Sequence, residues 1–423
     1  MKEYKQFVNL LQSELQSFLA KPKQDWKEIA LKYVDGFAAD ELRRLVGLEL
    51  RRENGTFFTH SELGKKVLSL LKPNFDEESV IYDPACGAAN LLISVADFVR
   101  KEKNISDFEE RLLGTDIHLE FVEAARLRLF MNQLVHCTDK PLKEKFEENI
   151  IGGNGLLPNI FYHNATHIVV NPPFNLIPSN NQSTWAKGKV SAAALFIDKI
   201  IQHCKPEVSI LAILPDVLRS GSRYEKWRIF VEETCIIEKV ELLGQFDRHA
   251  DVDVFALKLT KRKEISKTNG INKKWKSNNT TTERILSDLF EICVGPVVDN
   301  RDQHKGTLRK YIVSRGLEGW SETNSITLER CHEGKFFISP FVVIKRTSRI
   351  SDTHRAVATI INMPEGVYVD NHLIILKPKS GDIADCRKAI NFLKNRKTDD
   401  WINTQIRCRH LTVKVVSKIP LWE

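Results

Sequence analysis

The sequence lacks the patterns that mark zinc-binding, secreted and membrane proteins. Its eight cysteines include no Cys-x-x-Cys pair, so we expect neither a metal site nor a disulfide framework. No apolar run approaches the roughly 18 residues that a membrane helix needs, and the charged N-terminal residues do not form a signal peptide. We find no internal repeat. These absences favour a cytoplasmic protein that contacts no membrane and binds no metal.

The length and the charge of the chain carry more information. With 423 residues, 42% of them hydrophobic, the chain is long enough for two or three domains with real cores. Its formal net charge of +8 fits a polyanionic partner such as nucleic acid. Because many unrelated proteins are as basic as this one, charge alone does not decide the partner.

The order of apolar and polar stretches predicts four segments. Residues 1–55 have the apolar periodicity of helices. Residues 56–262 alternate short apolar runs with helical stretches, which is typical of a parallel, doubly wound α/β sheet. Residues 263–283 are rich in Lys, Asn and Thr and predict a linker or long loop. Residues 284–423 contain strand-like runs and many basic residues, so we predict a separate α+β domain there.

Ligands of doubly wound sheets bind at the carboxyl ends of the strands, and three unusual groups of residues fall there. The first group runs from Asp83 to Gly87 (DPACG), directly after an apolar run. Small residues let a ligand approach the backbone closely, and the carboxylate of Asp83 can bind a cationic amine. A plain turn between a strand and a helix is the alternative interpretation of the same residues.

The second group ends the next predicted strand, with Asp116 followed by Ile117. An acidic residue at the end of the second strand suits the two hydroxyl groups of a ribose. Taken alone, Asp116 could equally be the cap of the next helix. The spacing between Asp83 and Asp116, which end successive predicted strands, is what favours a binding role for Asp116.

The third group, Asn171-Pro172-Pro173-Phe174, follows another apolar run. The side-chain oxygen of Asn171 and the carbonyl oxygen of Pro172 can accept both hydrogens of an aromatic amine. This would hold the amine and raise the electron density of its nitrogen, so that the nitrogen can attack a methyl group. Phe174 can stack on a base that has left the double helix. We expect these four residues to form a catalytic clamp.

In order and form, these elements resemble the DNA adenine-N6 methyltransferases of the gamma order that occur in restriction–modification systems. That family is similar in an early Phe-x-Thr-Pro element, here residues 57–59, then Asp-Pro-Ala-Cys-Gly-x-Gly, an acidic strand end and Asn-Pro-Pro-Phe/Tyr. The resemblance covers roughly residues 55–262 and extends loosely into the C-terminal region. It implies a Rossmann-like domain that uses S-adenosylmethionine, followed by a target-recognition domain that binds double-stranded DNA.

The resemblance also implies roles for single residues. Thr59 would contact the methionine carboxylate and Asp83 the methionine end, Asp116 would bind the ribose, and Asn154 would read the cofactor's adenine. The implied cofactor contacts are Thr59, Asp83, Pro84, Ala85, Cys86, Gly87, Asp116, Ile117, Asn154 and Gly155. Phe246 would pack with Phe174 against the flipped base. The candidate contacts to DNA phosphates in the basic C-terminal region are Arg346, Arg349 and Arg355.

Three positions depart from the family pattern. His60 stands where the family has proline, Ala89 stands where it has the second glycine, and Asn154 stands where aspartate is commoner. Each departure bears on the affinity for the cofactor, and Ala89 adds a Cβ atom where the cofactor passes. None of them removes the clamp at Asn171.

We therefore expect a site-specific DNA methyltransferase that transfers a methyl group from S-adenosylmethionine to the N6 amine of a flipped-out adenine in duplex DNA. Direct displacement at a sulfonium needs positioning and electrostatics rather than a cysteine nucleophile. We expect a monomer that acts as a modification enzyme, and a cognate restriction endonuclease acting on the same site is a candidate partner.

Other functions stay open at the level of sequence. The same clamp suits the amine of cytosine-N4, an RNA base or a protein glutamine, and the fold could also serve a non-catalytic DNA-binding or specificity subunit. Glu333 and Lys335 have the Glu-x-Lys form of many nucleases. Because no Pro-Asp pair precedes them at a suitable distance, we predict no DNA cleavage.

Overall fold

The computed structural model of this protein divides into two units. Unit 1 comprises residues 1–275 and unit 2 comprises residues 276–423. The structure describes residues 2–20, 31–34, 37–105, 108–136, 146–179, 183–247, 250–267, 275, 284–348, 352–406 and 409–422. The division between the units falls inside the segment 263–283, in which the sequence predicts a linker.

A seven-stranded sheet forms the centre of unit 1. The strands of unit 1, in chain order, are β1 (Ile81–Asp83), β2 (Leu112–Asp116), β3 (Ile150–Gly152), β4 (His167–Val170), β5 (Leu176–Pro178), β6 (Lys189–Ser191), β7 (Ser209–Pro215), β8 (Cys235–Asp247) and β9 (Ala250–Lys261). In the sheet they lie in the order β3-β2-β1-β4-β7-β9-β8, and β5 pairs separately with β6. This strand order places β1 and β4 near the middle of the sheet.

The prediction of a parallel sheet holds for most of these strands and is wrong at one. The pairs β3–β2, β2–β1, β1–β4 and β4–β7 are parallel. Strand β9, in contrast, is antiparallel to both of its neighbours, β7 and β8. Only residues 248 and 249 separate β8 from β9, and so short a connection can join only antiparallel strands.

Helices cover both faces of this sheet. Those of unit 1 are α1 (Lys5–Leu19), α2 (Phe37–Leu45), α3 (Leu48–Asn54), α4 (Ser61–Leu71), α5 (Asn90–Lys103), α6 (Leu119–His136), α7 (Ile160–Asn164), α8 (Ala192–His203), α9 (Asp216–Ser220) and α10 (Glu225–Thr234). Ile81 packs in one apolar cluster and Tyr82 in another, because successive strand residues point to opposite faces. Across the described residues, no helix is both long and apolar enough to cross a membrane.

The N-terminal helices pack into the core of unit 1. The ring of Tyr4 contacts the ring of Phe121 edge-on, with 5.0 Å between centroids, and its hydroxyl donates to the carbonyl of Ala38 at 3.1 Å. Phe7 is fully buried beside it. Residues 1–55, which the sequence sets apart as a helical segment, therefore share a core with the central sheet.

Trp275 holds part of the predicted linker against unit 1. Its side chain is 2% exposed, and its ring lies 5.8 Å from the ring of Trp227. Its indole N–H donates to Glu232 at 2.6 Å, and its carbonyl accepts from Arg219 at 2.9 Å. Trp275, within the segment 263–283 that is predicted to be a linker or long loop, therefore packs against unit 1.

Unit 2 combines two sheets with short helices. Its strands are β10 (Phe290–Val294), β11 (Thr307–Ile312), β12 (Glu322–Thr323), β13 (Glu329–His332), β14 (Phe341–Lys345), β15 (Ala358–Ile361), β16 (Tyr368–Val369) and β17 (Leu373–Pro378). They form sheets in the orders β10-β17-β14-β15-β12 and β13-β11-β16. The helices are α11 (Leu286–Leu289), α12 (Ile383–Lys394), α13 (Arg396–Gln405) and α14 (Val413–Val416). Helix α12 buries Cys386, Ala389 and Leu393, a helical spacing that places them on one face.

Candidate functional site

A cavity of about 300 Å³ lies at the carboxyl edge of the unit 1 sheet. The residues that follow β1, β2, β3 and β4 line it, together with the loop before α4. The sequence-predicted residues that line it are Thr59, Asp83, Pro84, Ala85, Cys86, Gly87, Asp116, Ile117, Asn154, Gly155, Asn171 and Pro173. Residues from five separate parts of the chain therefore meet at the place where open α/β sheets bind ligands.

Asp83, the last residue of β1, is 2% exposed and accepts the backbone N–H of Ala85 at 2.9 Å. Burial raises the pKa of this carboxyl group to about 8, the Ala85 N–H opposes the shift, and the Asp116 carboxylate adds to it. A buried carboxyl group with a raised pKa is stabilised in its ionised form when a cation binds beside it. The environment of Asp83 therefore suits a positively charged ligand.

Asp116, the last residue of β2, is held by two backbone donors. The N–H groups of Gly87 and His118 each donate to it at 2.9 Å. Burial nevertheless raises its pKa to about 6, against the effect of these hydrogen bonds. Next to it, the side chain of Ile117 is 64% exposed at the cavity. An exposed aliphatic side chain beside a polar acceptor suits a ligand with a flat apolar ring and hydroxyl groups.

The turn between β1 and α5 explains one departure from the family pattern. Gly87 has φ of +52°, and a Cβ atom there would lie 2.7 Å from the ring of Phe58. Ala89 has φ of +65° and is fully buried at the start of α5, so this alanine occupies the left-handed conformation that glycine favours. The turn thus keeps its shape with one glycine, at a local cost of about 1–2 kcal/mol.

Gly155 lets the loop after β3 approach the turn after β1. A Cβ atom on Gly155 would lie 1.9 Å from the carbonyl oxygen of Pro84, so only glycine fits at this contact. Its own carbonyl accepts the hydroxyl of Tyr162 at 2.5 Å. The neighbouring Asn154 is exposed, and its side-chain oxygen accepts the N–H of Leu156 at 3.0 Å. Its amide nitrogen faces outward from that bond and can donate to a ligand.

Asn171, directly after β4, has a defined amide orientation. Its Nδ2 donates to the carbonyl oxygen of Phe57 at 3.2 Å and to Oγ1 of Thr59 at 3.0 Å. Because a backbone carbonyl can only accept, Nδ2 must face Phe57, and Oδ1 must face the other way. Oδ1 is buried and has no hydrogen-bond partner. An unpaired buried acceptor is costly, and a ligand that donates a hydrogen would satisfy it.

Phe174, in the motif that begins at Asn171, packs against Phe246, and neither is among the residues that line the cavity. The ring centroids of Phe174 and Phe246 are 5.4 Å apart, at an angle of 81° between the ring planes. Phe246, near the end of β8, is 5% exposed and also contacts Phe57 edge-on at 6.5 Å. Pro172 is buried and Phe174 half-buried. The structure thus brings the sequence-distant Phe246 to the motif that begins at Asn171.

Asn90 and Asn175, which sequence reasoning did not select, also line the cavity. Asn175 donates through Nδ2 to the carbonyl of Glu53 at 2.9 Å, and its Oδ1 is buried without a partner. Asn90, the first residue of α5, is 8% exposed and donates to the carbonyl of Thr59 at 2.8 Å. Asn175 directly follows Phe174 and could have been found from that position. Nothing in the sequence near Asn90 indicates its partners.

The three arginines expected at DNA phosphates are in different situations. Arg346 is half-buried and donates to the carbonyl of Asn371 at 2.7 Å, and burial lowers the pKa of its guanidinium. Arg349 lies outside the described residues. Arg355 is 4% exposed, and its guanidinium donates to Asn403 and to the carbonyl of Ile406 inside unit 2. The expectation for Arg355 is corrected, because a guanidinium enclosed in this way cannot reach a phosphate.

The described residues contain no group of three or more His, Cys, Asp or Glu side chains that could hold a metal ion. Glu333 and Lys335, the pair with the nuclease-like spacing, are both exposed on unit 2. That the chain does not cleave DNA stays a prediction.

Comparison with solved structures supports the class of fold. The structure of the type IIL restriction-modification enzyme MmeI in complex with DNA aligns with 92% of this chain and 70% of that one, with a TM-score of 0.57 and 12% identity. At this identity the likeness concerns the fold alone. The central feature of this fold is a mixed seven-stranded α/β sheet, with acidic residues at the ends of β1 and β2.

The family follows from the sequence comparison. The family model described as N-6 DNA Methylase matches residues 47–289, more than half of the chain, and the chain belongs to this family of restriction–modification methyltransferases. It is 28% identical over 205 residues to the Type I restriction enzyme EcoKI methylase subunit of Escherichia coli. It is 24% identical over 224 residues to the Type I restriction enzyme MjaVIII methylase subunit of Methanocaldococcus jannaschii.

These matches are partial on both sides. They cover 45% and 46% of this chain, and 37% and 34% of the two relatives. The chain therefore matches well under half of the length of either relative.

Proposed function

We propose that this protein is a site-specific DNA methyltransferase. It transfers a methyl group from S-adenosylmethionine to the N6 amine of an adenine that has been flipped out of duplex DNA. In a restriction–modification system it would be the modification enzyme, with a restriction endonuclease acting on the same site as partner. The observation that carries the proposal is that Asn171, whose Oδ1 is buried without a hydrogen-bond partner, lines the same cavity as Asp83 and Asp116.

The residues around the cavity fit S-adenosylmethionine. Asp83 would hold the methionine ammonium, because its carboxyl group is buried and burial raises its pKa to about 8. Asp116 would bind the ribose hydroxyls, with Ile117 against the adenine and the side chain of Asn154 at its edge. When bound, the cofactor supplies a sulfonium whose methyl group an amine can attack.

The work of this chain is to present the amine of adenine in the correct direction. Oδ1 of Asn171 accepts one hydrogen of the amine and the carbonyl of Pro172 accepts the other, while Phe174 stacks on the base. Two acceptors increase the electron density on the nitrogen, so that its lone pair can form the new N–C bond while the bond from the methyl carbon to sulfur breaks and a neutral thioether leaves. The proton that the nitrogen then loses passes towards Asn171, the carbonyl or water. Preorganised acceptors of this kind contribute most of the catalysis.

Unit 2 is the candidate for target recognition. Residues 276–423 contain 24 Lys and Arg against 17 Asp and Glu, a net charge of +7 within the +8 of the whole chain. Positive charge attracts the phosphate backbone and offsets the few kcal/mol that base extrusion costs. Arg346, which is half-buried, and Arg349 are the candidate phosphate contacts. Binding to DNA should weaken steeply as salt concentration rises.

Methyl transfer to DNA tests the proposal directly. The full chain is incubated with S-adenosylmethionine carrying a tritiated methyl group and with unmethylated duplex DNA, and the nucleosides are then identified by mass spectrometry. We expect N6-methyladenine. Asn171→Ala should lower the rate by about 100-fold or more, since removing one preorganised group at a charge-developing centre has such effects. Asn164→Ala is the matched control, because Asn164 is an exposed asparagine at the end of α7.

Each other outcome points to a different function. N4-methylcytosine in place of N6-methyladenine would keep the methyltransferase and change the target base. Label in ribosomal RNA or protein, with none in DNA, would contradict a DNA substrate. Background counts from both the wild type and Asn171→Ala, with DNA binding intact, would favour a non-catalytic DNA-binding or specificity subunit.

A further inference from the structure

A buried arginine connects the N-terminal helical segment to the turn that follows β1. Arg128, on α6, is fully buried and donates through Nε to the carbonyl of Tyr33 at 2.9 Å and through Nη2 to the carbonyl of Val34 at 2.7 Å. Its Nη1 donates to the carbonyl of Ala88 and to Oδ1 of Asn90. One guanidinium thus joins residues that are separated by more than fifty positions in the sequence.

Asn90 extends this connection to the loop before α4. Its Oδ1 accepts from Arg128, which fixes the orientation of the amide, and its Nδ2 donates to the carbonyl of Thr59 at 2.8 Å. Thr59 is 3% exposed, and its Oγ1 accepts from Nδ2 of Asn171 at 3.0 Å. The hydrogen bonds therefore form a continuous series, in the order Arg128, Asn90, Thr59, Asn171.

Each member of the series has its donor and acceptor roles determined by a neighbour. A guanidinium can only donate, so Asn90 must present its oxygen to Arg128 and its nitrogen to Thr59. The position of Thr59 then sets where Nδ2 of Asn171 lies, and hence where Oδ1 of Asn171 points. A displacement of about 1 Å at a reacting centre can cost 10²-fold in rate, so small movements along the series would reach the chemistry.

We propose that Arg128, Asn90 and Thr59 are positioning residues, through which the N-terminal helical segment sets the direction of the Asn171 amide. The inference rests on the proposed function, since it assigns the series a task in methyl transfer. Neither Arg128 nor Asn90 needs to touch the base. Their effect is carried by Thr59 to the side chain that does.

Asn90→Asp separates this role from a purely structural one. The carboxylate still accepts from Arg128, and opposite charges favour that contact, so the fold should stay intact. The Nδ2 donor to the Thr59 carbonyl is lost, and a carboxylate oxygen of Asp at position 90 then faces the carbonyl oxygen of Thr59. We expect the single-turnover rate of methyl transfer at saturating cofactor and DNA to fall about 10-fold, with the melting temperature and the cofactor Kd no worse than in the wild type.

Asn159→Asp is the matched control. Asn159 caps α7 by accepting the N–H of Phe161 at 3.0 Å, and its Nδ2 donates to the hydroxyl of Tyr82 at 2.8 Å. The same exchange of amide for carboxylate thus removes one donor in unit 1, outside the series. Aspartate caps a helix as well as asparagine does. Its single-turnover rate should remain within about twofold of the wild type.

A second pair of variants tests the hydrogen bond between Thr59 and Asn171, the last in the series. Thr59→Val removes Oγ1 and should lower the rate about as much as Asn90→Asp does, whereas Thr59→Ser keeps the hydroxyl and should recover most of it. Because the two residues act in series, the double variant Asn90→Asp with Thr59→Val should be little slower than either single variant. If Asn90→Asp fails to fold, Thr59→Val and Thr59→Ser still test the proposed positioning role.

The proposal is overturned if Asn90→Asp and Thr59→Val transfer methyl groups within twofold of the wild-type rate, or if the loss in Asn90→Asp follows the melting temperature or the cofactor Kd. Fully additive losses would also overturn it. If the wild type itself transfers no methyl group, the proposed function fails instead. Hydrogen exchange at residues 56–60 then still tests the link, since Asn90→Asp should speed it and Asn159→Asp should not.

Discussion

The carboxyl groups that line the cavity of unit 1 and two buried arginines of unit 2 have different surroundings. Unit 1 has a net charge near zero and encloses the carboxyl groups of Asp83 and Asp116 at a cavity, where burial raises both pKa values. Unit 2 has a net charge of +7 and encloses Arg330 and Arg355, whose guanidinium groups donate to neighbours within the same unit. The two carboxyl groups of unit 1 suit a cationic ligand, whereas the two arginines of unit 2 donate to neighbours of their own unit.

This difference shows why a count of charges does not identify a binding site. Positive residues of unit 2 are numerous, but Arg330 is 2% exposed and Arg355 is 4% exposed. Their terminal guanidinium nitrogens donate to neighbours within unit 2 and so stabilise its fold. A perturbed pKa in a cleft, as at Asp83, is the stronger indication of a functional site. Four predictions test whether the two units differ in this way.

The largest effect is expected for Asp83→Asn. The loss of a charge-assisted contact worth about 1.5–3 kcal/mol should weaken cofactor binding by about 10- to 150-fold, measured by calorimetry. Stability should change in the opposite direction. The folded-state pKa of Asp83 is about 8, above the ordinary 3.8. The protonated carboxyl group is therefore compatible with burial at low pH, and the fold loses stability as the pH rises from the lower of these values to the higher. The variant should therefore melt above the wild type at pH 8 and much closer to it at pH 5. Equal melting temperatures at both values would contradict the buried state of Asp83.

Arg330→Met should destabilise unit 2 by about 2 kcal/mol while leaving cofactor binding unchanged. The methionine keeps much of the volume, but the carbonyl of Asp302, which accepts from Arg330 at 2.7 Å, loses its donor, and Asp299 loses its ion pair. Urea unfolding followed by hydrogen exchange in β11 and β13 measures the first effect, and calorimetry with cofactor measures the second. A weaker cofactor affinity in this variant would show that the two units are not separable in the manner described.

Cofactor affinity should increase with pH between about 6 and 7.5. Binding of a cation requires Asp83 to ionise, and because burial raises its pKa to about 8, binding releases a proton below that pH. The affinity should rise by up to about 10-fold per pH unit and level off near pH 8. Asp83→Asn should lack most of this slope. A flat profile in the wild type would mean that Asp83 is not the group that meets the cation.

The smallest effect is expected for Ala89→Gly. Glycine relieves about 1–2 kcal/mol of left-handed strain, but it loses a buried methyl group worth about 0.8 kcal/mol and has a more flexible unfolded state. These contributions nearly cancel, so the free energy of unfolding should change by less than about 1 kcal/mol in denaturant titration. A gain above about 2 kcal/mol would show that the turn after β1 is more strained than its φ of +65° indicates.

Much of the candidate site could be predicted from the sequence, because its residues follow apolar runs. Asp83, Asp116 and Asn171 each end or follow a strand, and the carboxyl ends of parallel strands meet at one edge of a sheet. The antiparallel direction of β9 was missed, since its apolar run has the same composition as a parallel strand. The burial of Trp275 was missed because its neighbours in sequence are polar.

The hydrogen-bond partners of Asn90 could not be predicted from the residues near it in the sequence. Its role depends on Arg128, which arrives from a different helix, and on Thr59, which arrives from the loop before α4. The same applies to Arg355, whose side chain is enclosed by residues from α13 and the segment that follows it. In both cases the partner is distant in sequence, and no spacing rule connects the two residues.

The order of the strand-ending residues was already decided by the sequence, and with it the chemistry available at the cavity, because the alternation of apolar runs dictates which residues reach the edge of the sheet. Only the tertiary structure decided that the side-chain oxygen of Asn171, rather than its nitrogen, is left unpaired, and which arginines are buried. The physical reason is that hydrogen-bond direction and burial depend on contacts between segments far apart in the chain, whereas strand ends depend on neighbours within it.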